Sequence, residues 1–117
     1  MKRVLIVDDS SLMRRLLRNI VIKNGYDVVG EAKNGRLGFE QYKALNPDIV
    51  TMDLIMDEMN GLEALKMIIG HNPDANVIMV SSMGQEVIVR DAIVSGAKHF
   101  LMKPFDEKQV IDAFKKL

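Results

Sequence analysis

Short apolar runs recur along the chain, separated by longer stretches in which apolar residues return every three or four positions. Runs of four or five residues bounded by Asn, Pro, Asp or Ser are typical of strands buried on both faces. They predict strands over residues 4–7, 28–32, 49–53, 77–80 and 100–102. The third run ends directly in a carboxylate, Asp53, and the rest of the pattern is arranged around that strand end.

The intervening stretches have the apolar spacing of amphipathic helices. The first helix is predicted to follow Ser10 and Ser11, which are good caps, and to stop at Asn24-Gly25. Its apolar face is predicted to contain Leu12, Leu16 and Ile20, with Met13 and Leu17 beside it. Arg14, Arg15 and Arg18 are predicted to lie on its solvent-facing side. Further helices are predicted over residues 37–45, 61–69 and 85–95, and a last one after the cap Asp106.

Strands and helices therefore alternate strictly, in five strand–helix units with short connections. Right-handed crossovers between parallel strands place helices on both faces of one sheet. The pattern predicts an α/β protein with a doubly wound, parallel, five-stranded sheet. We expect residues 1–117 to form a single domain, because the chain contains no linker or repeat.

Composition narrows the function classes. Lys plus Arg and Asp plus Glu are both 16, so the formal net charge is zero, which argues against direct binding to nucleic acid or to an anionic membrane. There is no cysteine, so disulfide and thiolate chemistry are excluded. The basic start is followed by only four apolar residues, too few for a signal peptide, and we expect a cytoplasmic protein.

Four of the five predicted strands end in polar residues with reactive or charged groups. These residues are Asp8 and Asp9, Asp53, Ser81 and Lys103. Because functional groups of an open parallel sheet collect beyond the carboxyl ends of its strands, we expect them to meet at one edge. The second strand ends at Lys33-Asn34, to which the pattern assigns no role.

Three carboxylates at one edge need a cation, since like charges ~4 Å apart cost about 4 kcal/mol near a protein surface. Mg²⁺ suits two or three carboxylates, water and a backbone carbonyl, and Lys103 adds a fixed positive charge. This set fits phosphoryl transfer, with Asp53 as the nucleophile and with Lys103 and Ser81 holding phosphoryl oxygens. Each residue alone would more often be a cap or a solvated side chain, so the inference depends on the combination.

The combination resembles the response-regulator receiver family, and within it the stand-alone regulators of chemotaxis. The resemblance covers the whole chain. The opening acidic motif lies at Val4-Leu5-Ile6-Val7-Asp8-Asp9-Ser10, Asp53 stands at the phosphoacceptor position, and Met56 and Gly61 follow it at the expected distances. Ser81 occupies the switch-hydroxyl position, and Lys103-Pro104-Phe105 matches the lysine motif.

The resemblance implies a flavodoxin-like sheet of order 2-1-3-4-5 and a cis Lys103–Pro104 bond. It implies Mg²⁺ bound by Asp9, Asp53 and the Ile55 carbonyl, with Asp8 contributing through water. The implied phosphodonor is a histidine kinase, with small phosphodonors as substitutes. Movement of Ser81 and rotation of Phe100 would carry the signal to a downstream protein at the surface of helix four, strand five and helix five, and we expect a monomer.

Helix four itself carries a sign of such a surface. Val87, Ile88 and Val89 are consecutive and cannot all face the sheet, so at least one is expected to be exposed, with Val94 as a further candidate.

Two features depart from the family's usual pattern. Asp57 stands where Pro is usual, which frees the loop backbone and adds a fourth acid near the predicted metal site. The Asp57 side chain either is simply solvated or affects the affinity for the metal. Ile55 and Met83 are apolar at positions where polar residues help to orient the attacking water in the family. We therefore expect a long-lived acyl phosphate.

Three alternatives remain open from the sequence. The chain could be a receiver domain belonging to a longer DNA-binding or other output protein. It could be a phosphatase with an Asp nucleophile, of the haloacid-dehalogenase type, although that motif separates its acids by one residue and Asp8 and Asp9 are adjacent. It could be a flavin-binding electron carrier, although Asp8 and Asp9 would repel a flavin phosphate.

Overall fold

A computed structural model describes residues 2–117 of the chain. Five strands and five helices alternate along them, as the apolar pattern predicts. The strands are β1 (Arg3–Val7), β2 (Asp27–Ala32), β3 (Ile49–Asp53), β4 (Val77–Ser81) and β5 (His99–Met102). The helices are α1 (Ser11–Lys23), α2 (Gly35–Leu45), α3 (Gly61–His71), α4 (Glu86–Val94) and α5 (Glu107–Lys115).

The strands form one sheet of order β2-β1-β3-β4-β5, and all neighbouring strands are parallel. The predicted fold class and strand order are therefore confirmed. β3 is the central strand and is buried along its whole length. Its last residue, Asp53, is in register with Val80 of β4, so the ends of these two strands lie side by side.

Two apolar clusters cover the two faces of the sheet. The cluster on one face includes Val50 and Met52 from β3, and Leu65 and Ile68 from α3. The cluster on the other face includes Ile49 from β3, Leu17 from α1 and Phe114 from α5. Successive residues of a strand point to opposite faces, so an uninterrupted apolar run supplies both clusters.

The predicted apolar face of α1 is confirmed for Ile20 and for the neighbouring Leu17, and is wrong for Leu12 and Leu16. Leu12 and Leu16 are 75% and 45% exposed, whereas Leu17, Ile20 and Val21 are the buried residues of this helix. The helix carries two overlapping apolar stripes that share Ile20. The stripe that meets the sheet contains Leu17 and Val21, whereas the other contains Leu12 and Leu16. Arg14, predicted to be in solvent, is only 20% exposed through its side chain.

Several element ends differ by one or two residues from prediction. β1 and β5 each begin one residue earlier, and α2 begins at Gly35 instead of residue 37, because the side chain of Asn34 caps it by accepting a hydrogen bond from the Leu37 amide. The predicted caps Ser10 and Asp106 are both present, and Asp106 forms a reciprocal capping box with Gln109. Within residues 2–117, no helix combines the length and apolar character that crossing a membrane requires.

Candidate functional site

The carboxyl ends of β1, β3, β4 and β5 bring together the polar residues that the strand pattern singled out. The strand ends are joined by backbone hydrogen bonds. The Leu54 amide donates to the Val80 carbonyl at 3.2 Å, and the Lys103 amide donates to the Ser81 carbonyl at 2.8 Å. This pairing holds the residues that follow each strand at one edge of the sheet.

Lys103 connects the ends of β1, β3 and β5. Its ammonium Nζ lies 3.1 Å from Asp8 Oδ2 and 3.3 Å from Asp53 Oδ1. Asp8 is buried, with 1% exposure, and its second oxygen accepts a hydrogen bond from the Ser10 amide at 2.9 Å. Both carboxylates are therefore held in place by charge-assisted hydrogen bonds. The Lys103–Pro104 peptide is cis, as the resemblance implied.

The ionisation of Asp53 is unfavourable in this setting. Burial raises the pKa of its carboxyl, the Asp8 and Asp9 carboxylates add to the shift, and Lys103 only partly offsets it, so the pKa rises from 3.8 to about 6. For Lys103, burial lowers the pKa, but the Asp53 and Asp8 carboxylates outweigh it and raise the pKa above its usual value. The site holds more negative charge than Lys103 neutralises.

The three acids form a set of ligands suited to a hard cation. One oxygen from each of Asp8, Asp9 and Asp53 lies within 4.8 Å of the others. Asp8 and Asp53 are buried, whereas Asp9 is exposed. Carboxylate oxygens are the ligands that Mg²⁺ prefers, and a divalent ion would offset the repulsion among these carboxylates. The residues therefore fit Mg²⁺.

Ser81 lies at the end of β4 and is 2% exposed. Its hydroxyl oxygen accepts a hydrogen bond from the Met83 amide at 3.0 Å, so the hydroxyl proton is free to donate elsewhere. A cavity of about 300 Å³ lies next to this position, between α4 and the β3–α3 loop (residues 54–60). Its walls include the apolar side chains of Ile55, Met83 and Ile88.

The other residues predicted to carry the signal lie on β5 and α4. Phe100 is partly buried and packs against the cluster that contains Met79 and Ala92. On α4, Val87 is 65% and Val94 80% exposed, which confirms the prediction that this helix presents apolar residues to solvent. The remaining departure, Asp57, is exposed.

The strand pattern missed two side chains that support the site, Arg14 and Asn34. The Arg14 guanidinium donates to the Asp8 carbonyl at 2.7 Å and bonds Glu31 through Nε at 3.2 Å. Asn34 is buried and bonds Glu58 of the β3–α3 loop, with 3.3 Å between Nδ2 and Oε2. The only sequence signal for Asn34 was its place in an Asn-Gly pair, which is equally typical of a turn.

Known proteins with similar sequences agree with this architecture. Residues 4–115 match the response regulator receiver domain. The chain belongs to the response regulator receiver domain family. It is 53% identical over 116 residues to the chemotaxis protein CheY of Thermotoga maritima, covering 99% of this chain and 97% of that protein. It is 49% identical over 114 residues to the chemotaxis protein CheY of Bacillus subtilis, covering 97% and 95%.

Solved structures give the same result. A chain in the crystal structure of the CheX–CheY–BeF3–Mg complex from Borrelia burgdorferi matches with a TM-score of 0.95 and 36% identity, over 98% of this chain and 87% of that chain. The response regulator domain of Thermotoga maritima CheB matches with a TM-score of 0.87 and 38% identity, over 99% and 92%. The function that these similarities support is that of a two-component response regulator of the chemotaxis type.

Proposed function

We propose that Asp53 is the phosphoacceptor of this response regulator and that a histidine kinase is its phosphodonor. The observation that carries the proposal is the pair of contacts at Lys103. Its ammonium reaches both Asp53 and Asp8 at the strand ends, in a group of three acids. A fixed cation beside a buried carboxylate is the arrangement that phosphoryl transfer to that carboxylate requires.

In the proposed reaction, an oxygen of ionised Asp53 attacks the phosphorus of a phosphohistidine. The new phosphorus–oxygen bond forms as the phosphorus–nitrogen bond breaks, and the imidazole nitrogen keeps the bonding electron pair. No general base is needed, because a carboxylate has no proton to lose. Since the pKa of Asp53 is about 6 without a metal, most of the protein is already in the attacking form at neutral pH.

The neighbouring side chains receive the charge of the phosphoryl group. Lys103, whose ammonium contacts Asp53, would bond one of its oxygens, and the Ser81 hydroxyl would donate to another. Asp9, Asp53 and the Ile55 carbonyl would hold Mg²⁺, with Asp8 acting through water. When bound, the ion neutralises charge on the transferred group and on the acids.

We propose that phosphorylation changes a binding surface of the protein. The protein would then be a binding switch that catalyses only its own phosphorylation and dephosphorylation. A phosphoryl group adds about −1.5 to −2 charges at neutral pH. Movement of Ser81 toward it would leave room for Phe100 to rotate inward and change the surface formed by α4, β5 and α5. A downstream protein would bind there, to a monomer of this chain. The cytoplasmic location stays a prediction.

Intact-mass spectrometry tests the proposal. The wild-type protein and Asp53→Asn are incubated with acetyl phosphate, with and without Mg²⁺. We expect wild type to gain the mass of one phosphoryl group only when Mg²⁺ is present, and Asp53→Asn to gain none. Equal phosphorylation of both proteins would show that another residue is the acceptor. Repeating the incubation with p-nitrophenyl phosphate separates a switch from a phosphatase, which would release nitrophenol with continued turnover.

A further inference from the structure

The β3–α3 loop contains two residues with unusual backbone geometry. Glu58 has a φ of 60° and Met59 a φ of 118°, both in the left-handed region that residues other than glycine rarely adopt. Such conformations are unfavourable and persist where surrounding contacts hold them. These two residues lie between the Ile55 carbonyl, which is the proposed metal ligand, and the start of α3.

The contacts that hold both residues come from the junction between β2 and α2. The Gly35 amide donates to the Met59 carbonyl at 3.1 Å. The Asn34 amide Nδ2 donates to Glu58 Oε2 at 3.3 Å, and the Arg36 guanidinium lies 3.5 Å from the same oxygen. A side chain at Gly35 could not be accommodated, because its Cβ would lie 2.4 Å from the Met59 carbonyl oxygen.

Asn34 performs two separate tasks with its two side-chain atoms. Its oxygen Oδ1 accepts a hydrogen bond from the Leu37 amide at 2.8 Å and so caps α2. Its nitrogen Nδ2 faces the loop and bonds Glu58. Asn34 is 5% exposed, so the direction of this side chain is set by its surroundings. A cap alone would be served equally well by Asp or Ser, and only the contact with Glu58 needs the amide donor.

We propose that Asn34 and Glu58 form a latch that presets the β3–α3 loop for Mg²⁺, which makes both of them positioning residues for metal binding. This inference rests on the proposed role of Asp53 and the Ile55 carbonyl as ligands. Asp57 lacks the ring that would restrict this loop at the usual Pro position. The latch supplies a restraint from outside the loop, and a loop already in its binding conformation loses less entropy when the ion binds.

The substitution Asn34→Asp isolates the latch from the cap. The new side chain keeps an oxygen for the Leu37 amide, but it turns a carboxylate instead of a donor toward Glu58. It also adds one negative charge near the metal site, which by simple attraction would strengthen Mg²⁺ binding. If the latch matters, Asn34→Asp weakens Mg²⁺ binding, in the direction opposite to the charge effect.

The reversed pair Asn34→Asp/Glu58→Gln has the same net charge as wild type and restores a donor and an acceptor in exchanged places. Glu63→Gln is the control for loss of one acidic charge. Glu63 lies in the first turn of α3, is exposed, and its side chain forms no hydrogen bond or ion pair within the described part of the chain.

Isothermal titration calorimetry with MgCl₂ at constant ionic strength gives the Kd of each protein. We expect Asn34→Asp to raise the Kd about 3–10-fold, as loss of an outer hydrogen bond to a metal site does. We expect the reversed pair to return to within about twofold of wild type, and Glu63→Gln to stay in that range. In the metal-free proteins, the Gly35 amide should exchange its hydrogen faster in Asn34→Asp than in wild type.

Unchanged or tighter Mg²⁺ binding by Asn34→Asp, or a reversed pair that binds as weakly as the single variant, would overturn the latch. A fall in thermal stability without a change in Kd would do the same, because it would assign Asn34 a structural role only. Asp53→Asn distinguishes the two proposals. If it abolishes Mg²⁺ binding while Asn34→Asp has no effect, the latch fails and the metal site stands. If wild type and Asp53→Asn bind Mg²⁺ equally, both proposals fail.

Discussion

Asp53 is an acid that the fold buries beside two other acids, and its chemistry follows from that position. The chain could lower the repulsion by placing a neutral residue at the end of β3. It instead keeps a carboxylate with a pKa of about 6 and provides one ammonium group within 3.3 Å. A buried acid with a pKa raised in this way is common at functional sites.

The first prediction concerns pH and stability in metal-free protein. The pKa of Asp53 is raised in the folded state, from 3.8 to about 6. Between these values the folded protein holds a proton that the unfolded chain has lost. Stability is therefore lost as the pH rises through this window. Relative to Asp53→Asn, wild type should lose roughly 1–3 kcal/mol of unfolding free energy between pH 4 and pH 7.

Urea unfolding in EDTA across this pH range measures the difference. Saturating Mg²⁺ should stabilise wild type at pH 7 and leave Asp53→Asn nearly unchanged, because the ion requires the carboxylate. If the free energy of unfolding changed with pH in the same way in both proteins, the pKa of Asp53 would not be raised by folding, and the prediction would be wrong.

The second prediction concerns the lifetime of the acyl phosphate. A water must be oriented by polar groups before it can attack phosphorus, and an ordered water usually makes two to four hydrogen bonds. The side chains of Ile55 and Met83 line the adjacent cavity and offer no strong hydrogen-bonding group. Phosphorylated wild type should therefore lose its phosphoryl group slowly, and Ile55→Asn/Met83→Glu should lose it ~10-fold faster or more.

Mass spectrometry at intervals after removal of acetyl phosphate measures the rate at which each protein loses its phosphoryl group. The double variant leaves the Ile55 backbone carbonyl in place, so the proposed metal ligand is unchanged. A wild-type half-life of only seconds, without an added phosphatase, would refute the expectation.

At the scale of elements, the start of α3 is fitted closely against the end of β3. The Gly61 amide donates to the Leu54 carbonyl at 2.7 Å, which closes the β3–α3 loop. A Cβ at Gly61 would lie 2.0 Å from the Asp53 carbonyl oxygen and 2.8 Å from its carbonyl carbon. Backbone atoms at the centre of the sheet cannot move aside at low cost, so glycine is required here.

The third prediction compares two glycines of the same helix. Gly61→Ala should lower the free energy of unfolding by about 1–3 kcal/mol, as overpacking does, and should slow phosphorylation because Asp53 is displaced. Gly70→Ala is the matched control, since a Cβ there meets no atom within 4 Å. It should stabilise the protein by about 0.5–1 kcal/mol through helix propensity. Urea unfolding of both variants checks this, and equal effects would contradict the close fit at Gly61.

The elements also show where sequence reasoning succeeded and failed. The existence of the strands followed from short apolar runs bounded by turn residues, which are typical of buried strands, and their order followed from the family resemblance. The face of α1 was only partly predicted, because Leu16 and Leu17 lie on adjacent apolar stripes and only the packed structure selects Leu17 over Leu16. The start of α2 was missed because Asn-Gly is typical both of a turn and of a cap followed by a first helical residue.

At the scale of the whole molecule, the site exists because the sheet brings distant residues together. Lys103 is 95 residues from Asp8 and 50 from Asp53 in sequence. Their meeting was predictable, because the carboxyl ends of parallel strands share an edge whatever their separation in the chain. The contact between Asn34 and Glu58 was not, because it depends on the path of a loop whose backbone adopts left-handed angles at non-glycine residues.

The two apolar clusters pack against both faces of the sheet. Under the proposed function, the conformational change is confined to the edge of the sheet formed by the strand ends. The exposed apolar residues of α4, including Val87 and Val94, lie on the element that borders the cavity beside the β3–α3 loop. Under the proposed function, a charge added at Asp53 would act on α4 and leave the packed centre of the sheet unchanged.

A crystal structure of the protein with Mg²⁺ and beryllofluoride, which mimics a phosphoryl group on a carboxylate, tests the central claim most directly. The account predicts beryllium bonded to an Asp53 oxygen, and Mg²⁺ bound to Asp9, Asp53 and the Ile55 carbonyl. It also predicts one fluoride bonded to Lys103 Nζ and another to the Ser81 hydroxyl. Beryllofluoride on a different residue, or an ion that contacts none of the three acids, would contradict it.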